Sequence, residues 1–176
     1  MEFEGFPKMH RLNREIVITE KIDGTNAQVY ITDEGEVLVG SRTRWITPEE
    51  DNAGFAKWVQ ANREDLLKLG IGRHFGEWWG RGIQRGYGLS EKRFSLFNTS
   101  RWSDPDVRPV CCSVVPVLYQ GPFCQSAIRH ALEALNQKGS IASPTFMRPE
   151  GIVIFHTQGN FCLKVTLEKD EAGKGQ

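Results

Sequence analysis

The stretch Glu15–Ile31 constrains the fold more than any other. It holds two runs rich in β-branched residues, Glu15-Ile-Val-Ile-Thr-Glu20 and Thr25-Asn-Ala-Gln-Val-Tyr-Ile31, joined only by Lys21-Ile-Asp-Gly24. Such runs read as strands, because branched and aromatic side chains suit a pleated, half-buried surface. The join is too short for a helix, so two strands meet at a tight turn and the chain must build sheet. A lysine at the end of the first strand is held by backbone on both sides and can be aimed into a cleft. A hairpin with a solvated lysine accounts for the same residues, since Asp-Gly is a common hairpin turn.

The rest of the chain continues the pattern. Glu36–Ser41 reads as a third strand after the turn Thr32-Asp-Glu-Gly35. From Asp51 the spacing of Phe55, Trp58, Val59, Leu66 and Leu69 predicts a helix, capped by Asp51 or Asn52 and stopped by Gly70. Arg73–Trp79, Phe94–Phe97 and Cys111–Leu118 are further strands, and a glycine-rich stretch, Gly80–Gly88, follows the first of them. A second helix is expected over Gln125–Lys138, with Ile128, Ala131, Leu132 and Leu135 on one face and Gly139 as its stop. Gly151–Phe155 and Asn160–Val165 form a hairpin about Thr157–Asn160. The reading is an α+β fold, mainly antiparallel sheets with flanking helices. One domain is expected over residues 1–167, with a charged, flexible tail at 168–176.

Several function classes lose their support. Lys plus Arg and Asp plus Glu both number 22 in the 176 residues, so nucleic acid is not gripped by bulk positive charge. Apolar runs such as Ile16–Ile18 and Ile152–Phe155 are too short to span a membrane, and the N-terminus lacks the signature of a secretory signal. A cytoplasmic protein without a membrane partner is the expectation. Cys111, Cys112, Cys124 and Cys162 contain no Cys-x-x-Cys pair, and the four histidines show no metal-protease spacing.

Lys21-Ile-Asp-Gly24 resembles the Lys-x-Asp-Gly nucleophile motif of the covalent lysine nucleotidyltransferases: ATP-dependent DNA ligases, RNA ligases and capping enzymes. The family's other motifs follow in order. Ser41-Arg42-Thr43-Arg44 resembles its basic motif, Phe75-Gly-Glu77-Trp-Trp-Gly80 its third motif, and Phe94-Ser-Leu-Phe97-Asn98 the aromatic strand after it. Glu150-Gly-Ile-Val-Ile-Phe155 resembles the fourth motif and Leu163-Lys164-Val165 the fifth. Thr25-Asn26 is the discriminating pair. DNA ligases and capping enzymes usually carry arginine two positions after the motif glycine, whereas RNA ligases that seal ends in a duplex usually carry Thr-Asn.

The resemblance implies an ATP-grasp-like nucleotidyltransferase domain and an ATP-dependent RNA ligase joining 5′-phosphate and 3′-hydroxyl ends. Lys21 would attack the α-phosphate of ATP and become lysyl-AMP. The AMP would pass to a 5′-phosphate, and a 3′-hydroxyl would then displace it. A free lysine amine, with a pKa of about 10.4, is almost wholly protonated at neutral pH, so the nucleophile must first shed its proton. Lys164 and Mg²⁺ (or Mn²⁺) would neutralise charge on the phosphate, and Glu150 would help hold the metal. Glu77 would accept hydrogen bonds from the ribose, and Phe97, with Phe94 as its competitor, would stack on adenine. Asn26 and Arg42 are assigned to ribose and phosphate, Glu20 to the neighbourhood of the adenine, and Asp23 to the turn and the nucleotide.

Two departures from the family stand out. Cys162 occupies the position of a second lysine, whose phosphate contact is either missing or supplied by Arg44 or Lys169, and only twelve residues follow Lys164, so neither an OB-fold nor a helical RNA-ligase domain is expected. Substrate grip would then come from this domain or from a protein partner. Arg81–Arg108 carries six cations against three carboxylates, with Tyr87 and Trp102 among them. It suits either a phosphate-contacting loop or a solvated loop with buried aromatics. The expected partners are RNA ends, nicked or in a duplex, with DNA strands as a further option. The alternatives are a minimal DNA ligase, a module that binds adenylate or RNA ends without ligating them, and adenylyl transfer to a non-nucleic acceptor.

Overall fold

A computed structural model of the protein describes residues 1–168. The rest of the expected tail, Lys169 included, lies outside the described residues. Among the described residues the strands form two sheets, and the chain crosses between them twice. Strand β1 (Glu15–Lys21) belongs to a four-stranded sheet of order β10-β9-β1-β8. The chain then enters a six-stranded sheet of order β4-β3-β2-β5-β6-β7, comprising β2 (Thr25–Ile31), β3 (Val37–Gly40), β4 (Trp45–Ile46), β5 (Gly72–Gly80), β6 (Lys92–Leu96) and β7 (Cys112–Val114). It returns to the first sheet with β8 (Val117–Pro122), β9 (Gly151–His156) and β10 (Phe161–Thr166). Every pairing is antiparallel except β6 with β7.

Lys21–Thr25 is therefore not a hairpin: β1 and β2 lie in different sheets, and the Asp-Gly turn is the first crossing. The expected single strand over 111–118 is likewise two strands. Pro116 lacks the N–H that a continuous ladder would need, and there the chain makes its second crossing. The helix expected from Asp51 is broken at Asn62 into α1 (Phe55–Ala61) and α2 (Arg63–Leu66), with a 3-10 turn over Leu67–Leu69. The N-cap position itself falls on Gly54, and Asp51 satisfies the first turn from three residues upstream, accepting hydrogen bonds from the Ala56 and Lys57 amides at 2.8 and 3.1 Å. A one-turn helix, α3 (Thr99–Trp102), interrupts the polar loop, and α4 (Gln125–Lys138) has the expected bounds.

Each sheet buries one face. Phe55, Val59, Leu66 and Leu69 pack on Val29, Trp78, Phe94 and Leu96 of the six-stranded sheet. Ala131 and Leu135 of α4 pack on Ile16, Ile18, Ile152 and Ile154 of the four-stranded one. A small third cluster joins the sheets: Ile22 from the first crossing and Val115 from the second are buried with Trp79 and Tyr87. No helix among the described residues is long and apolar enough to cross a membrane.

Candidate active site

The first crossing delivers Lys21 to the seam between the sheets. Buried Ile22 anchors it from the next position, and the Asp23 amide donates to Tyr87 Oη at 2.8 Å. The Gly24 amide donates to Glu77 Oε1 at 3.1 Å. A Cβ on Gly24 would stand 2.5 Å from the Trp78 carbonyl oxygen and 2.7 Å from Trp79 Cβ. Glycine is needed there because strand β5 presses on it, not because the turn needs a left-handed residue.

Lys21 Nζ donates to Glu150 Oε2 at 2.6 Å, and both side chains are largely shielded, with 23% and 17% of their surface exposed. Glu150 immediately precedes β9, and Gly151 follows it with φ +154 and no room for a Cβ beside the Val165 carbonyl. The turn that presents Glu150 thus depends on glycine. Lys164 shares a sheet face with Lys21: it pairs with Val153, which pairs with Thr19. Among the described residues Lys164 has no ion pair. Cys162 lies on that same face two residues along β10 and is exposed.

Glu77 is 8% exposed, and its second oxygen accepts from Asn26 Nδ2 at 3.1 Å. Burial pushes its pKa up to about 7, opposed chiefly by Lys21, then by the Gly24 and Asn26 hydrogen bonds, while Glu150 adds a smaller push upward. Lys21, Glu77 and Glu150 therefore share one electrostatic neighbourhood. Alternation along β2 separates the Thr-Asn pair. Thr25 points to the helix side, where its hydroxyl accepts from Asn52 Nδ2 at 3.1 Å, and Asn26 points to the opposite face with Glu77.

That opposite face opens as a cleft of about 390 Å³ lined by Asn26, Gln28, Arg42, Phe75 and Phe97 among others. Phe94 is fully buried on the other side of the sheet, so of the two expected rings only Phe97, 41% exposed, is open to the cleft, with the exposed Phe75 beside it. Arg42 reaches the cleft without an ion pair among the described residues. Arg44 is exposed and lies 3.7 Å from the Glu50 carboxylate.

The carboxylates of Glu20 and Asp23 are both committed to the scaffold. The Glu20 carboxylate is buried and accepts from Ser140 Oγ and from the Ile141 and Ala142 amides at 2.5, 2.8 and 2.9 Å, fastening the loop after α4. Asp23 accepts from Arg85 Nε at 3.0 Å, and Arg85 also donates to the Arg148 carbonyl at 2.9 Å, two residues before Glu150. Arg85 and Tyr87 thus clamp the turn after Lys21, and Arg85 ties it to the approach to Glu150. Sequence reasoning placed both in the glycine-rich basic loop without this role; the only signal was a buriable aromatic beside an arginine. The other loop cations are mostly committed locally. Lys92, Arg101 and Arg108 donate to backbone carbonyls, Arg93 pairs with Glu91, and Tyr87 and Trp102 are buried. These contacts favour the loop with buried aromatics over the phosphate-contacting one.

Among the described residues no group of three or more His, Cys, Asp or Glu side chains could by itself hold a metal ion. A hydrated Mg²⁺ asks for one or two carboxylates beside phosphate oxygens, and a shielded Glu150 whose partner is already a cation fits that demand.

The first crossing thus sets a lysine at the seam of two sheets, against a carboxylate and near an open aromatic cleft. The chain belongs to the RNA ligase family, whose model matches residues 14–166. No curated protein matches it. Among solved structures it is similar to Naegleria gruberi RNA ligase. A mutant with AMP and Mn gives a TM-score of 0.66 at 22% identity, covering 88% of this chain and 50% of that one. Another mutant with ATP and Mn gives 0.64 at 21% identity, covering 89% and 51%. The same ligase with PPi gives 0.61 at 20% identity, covering 88% and 50%. The chain thus spans about half the length of those structures, and the likeness at these identities is one of fold.

Proposed function

We propose that residues 1–167 form the adenylyltransferase domain of an ATP-dependent RNA ligase with Lys21 as its nucleophile. The observation that carries this reading is the Lys21–Glu150 pair at 2.6 Å, set at the seam beside the Glu77–Asn26 cleft. Lys21 Nζ, once deprotonated, attacks the α-phosphorus of ATP; a P–N bond forms and the P–O bond to pyrophosphate breaks. The AMP then moves to a terminal 5′-phosphate of RNA, restoring the lysine. A 3′-hydroxyl attacks that phosphate, making the phosphodiester and releasing AMP.

The residues divide this work. Phe97 stacks on the adenine and Glu77 accepts from the ribose hydroxyls, its carboxylate already oriented by Gly24 and Asn26. Arg42 and Lys164 bring positive charge to the phosphates. Glu150 holds the ammonium of Lys21 before ATP binds and would hold Mg²⁺ or Mn²⁺ when nucleotide is present. The metal's chemistry there is to neutralise phosphate charge. Asp23 sets the turn, and Glu20 acts through the loop it fastens. RNA ends in a nicked duplex are the substrate favoured by Thr25-Asn26, with DNA strands and a protein partner as further components to test.

Intact mass after incubation with ATP and Mg²⁺ tests the reading. Gain of one AMP by the wild type, and none by Lys21→Ala, is expected. Absence of the gain in folded protein that is not already adenylylated would overturn it. Nicked RNA, nicked DNA and hybrid duplexes then decide the acceptor.

A further inference from the structure

Beyond Gln28 the cleft continues onto an outer part of the six-stranded sheet that none of the chemistry above uses. Tyr30 on β2 pairs with Arg73 on β5, and Trp45 on the edge strand β4 lies beside them. The Arg73 guanidinium carbon sits 4.6 Å from the Tyr30 ring centre and 5.3 Å from that of Trp45. Its Nη1 donates to Gln28 Oε1 at 3.0 Å, which ties it to a residue lining the cleft. Trp45 is nevertheless 48% exposed, and so is much of Leu38 next to it. Of the residues within strands β2 to β5, Glu77 at the far end is the carboxylate on this face, and the exposed Glu36 flanks Leu38 at the near end.

We propose that Tyr30, Arg73 and Trp45 form a nucleic-acid contact that seats an unpaired base and its phosphate from a single-stranded segment flanking the duplex that is joined. It rests on the RNA ligase reading of the neighbouring cleft. An aromatic ring left open at a sheet edge offers a stacking platform that any base can use, and a guanidinium held close to two rings and hydrogen-bonded to Gln28 keeps its charge with little freedom left to lose. Continuity with the cleft through Gln28, and an open indole beside a guanidinium that has no ion pair among the described residues, favour a nucleic-acid strand over a protein partner.

The test titrates a labelled, 5′-phosphorylated single-stranded RNA with wild type, Trp45→Ala, Arg73→Gln and Arg73→Lys at several salt concentrations. Lysyl-AMP formation, which needs no RNA, and thermal melting are measured on the same preparations. Trp45→Ala should weaken RNA binding at least about fivefold. Arg73→Gln should flatten the dependence of log K on log salt by about 0.7, one single-strand phosphate contact, and Arg73→Lys should restore the slope but not the affinity. Lysyl-AMP formation should stay within about twofold of wild type. RNA affinity within about twofold of wild type in both neutral variants, with an unaltered salt slope, would overturn the proposal. So would loss of self-association with RNA binding intact, which would make the patch a contact between copies. Failure of the wild type to form lysyl-AMP would sink the ligase reading instead, and the RNA titration would still decide the surface.

Discussion

Replacing Glu77 by glutamine should change how stability depends on pH, and the size of the effect follows from where the carboxylate sits. Burial, the largest influence, pushes the Glu77 pKa from an ordinary 4.5 up to about 7. The folded protein thus holds this proton more tightly than the unfolded chain. Stability from this group is complete below about pH 4.5 and is lost as pH rises through about 7. At about 1.4 kcal/mol per tenfold change in ionisation constant, the full loss is about 3 kcal/mol. Glutamine cannot ionise, so between about pH 4.5 and 8 the unfolding free energy of Glu77→Gln should move by that amount in the variant's favour. In a chain of this size that is roughly 6–12 °C in melting midpoint. Melts of nucleotide-free wild type and variant across this range measure it; a difference flat to within about 1 kcal/mol would refute the reasoning. Ribose hydroxyls donating to Glu77 would favour its ionised form, so AMP binding near neutral pH should release a proton. Calorimetry in buffers of different ionisation enthalpy should detect that release in the wild type and not in Glu77→Gln.

Three further outcomes follow from the seam. Lys21→Ala should abolish the mass gain from ATP and cost about 1–3 kcal/mol in a urea melt, because the shielded Glu150 carboxylate loses its only ion pair among the described residues. Gly24→Ala should cost about 1–3 kcal/mol, since the methyl group meets the Trp78 carbonyl and Trp79 Cβ, and should slow lysyl-AMP formation by shifting the nucleophile. Arg85→Ala should slow that step about 10- to 100-fold, read by quenched-flow labelling with ATP. Arg85→Lys should not restore it, because an ammonium cannot match a guanidinium fork directed at both the Asp23 carboxylate and the Arg148 carbonyl.

The strands and α4 were legible because their signals are local: β-branched runs and an apolar spacing of three and four. The bounds of α4 and β2 are met residue for residue. What could not be read locally was which sheet each strand joins. Asp23-Gly24 is the same dipeptide whether it closes a hairpin or carries the chain across a seam, and only packing of Ile22 against Trp79, Tyr87 and Val115 separates the two. Partners distant in sequence were hidden for the same reason. Lys21 meets Glu150 across most of the chain, which ordered motifs could suggest and periodicity could not. Glu20 and Arg85 show the limit of motif reasoning: a charged residue near a nucleophile can be committed to holding loops and turns, as Glu20 is to Ser140 and two backbone amides and Arg85 is to Asp23 and a backbone carbonyl, and its neighbours in sequence do not reveal it.

The two sheets contribute different halves of the candidate site. Lys21, Lys164 and the turn bearing Glu150 belong to the four-stranded sheet, while Asn26, Glu77, Arg42 and Phe97 belong to the six-stranded sheet or its loops. In the proposed reading one sheet holds the nucleoside and the other brings the attacking amine and the phosphate charges. Alignment between them then depends on the small cluster where both crossings are buried. Ile22→Val tests this dependence against Ile154→Val, since both isoleucines are 4% exposed and Ile154 lies in the α4 core away from the seam. Each should lose about 0.5–1.5 kcal/mol of stability. A shift of about 1 Å at the nucleophile is enough to slow chemistry roughly a hundredfold, so Ile22→Val should depress the rate of lysyl-AMP formation well beyond its stability loss. Ile154→Val should leave that rate near wild type. Equal rate losses in the two variants, measured below the melting range of both, would mean that the seam transmits nothing special to Lys21.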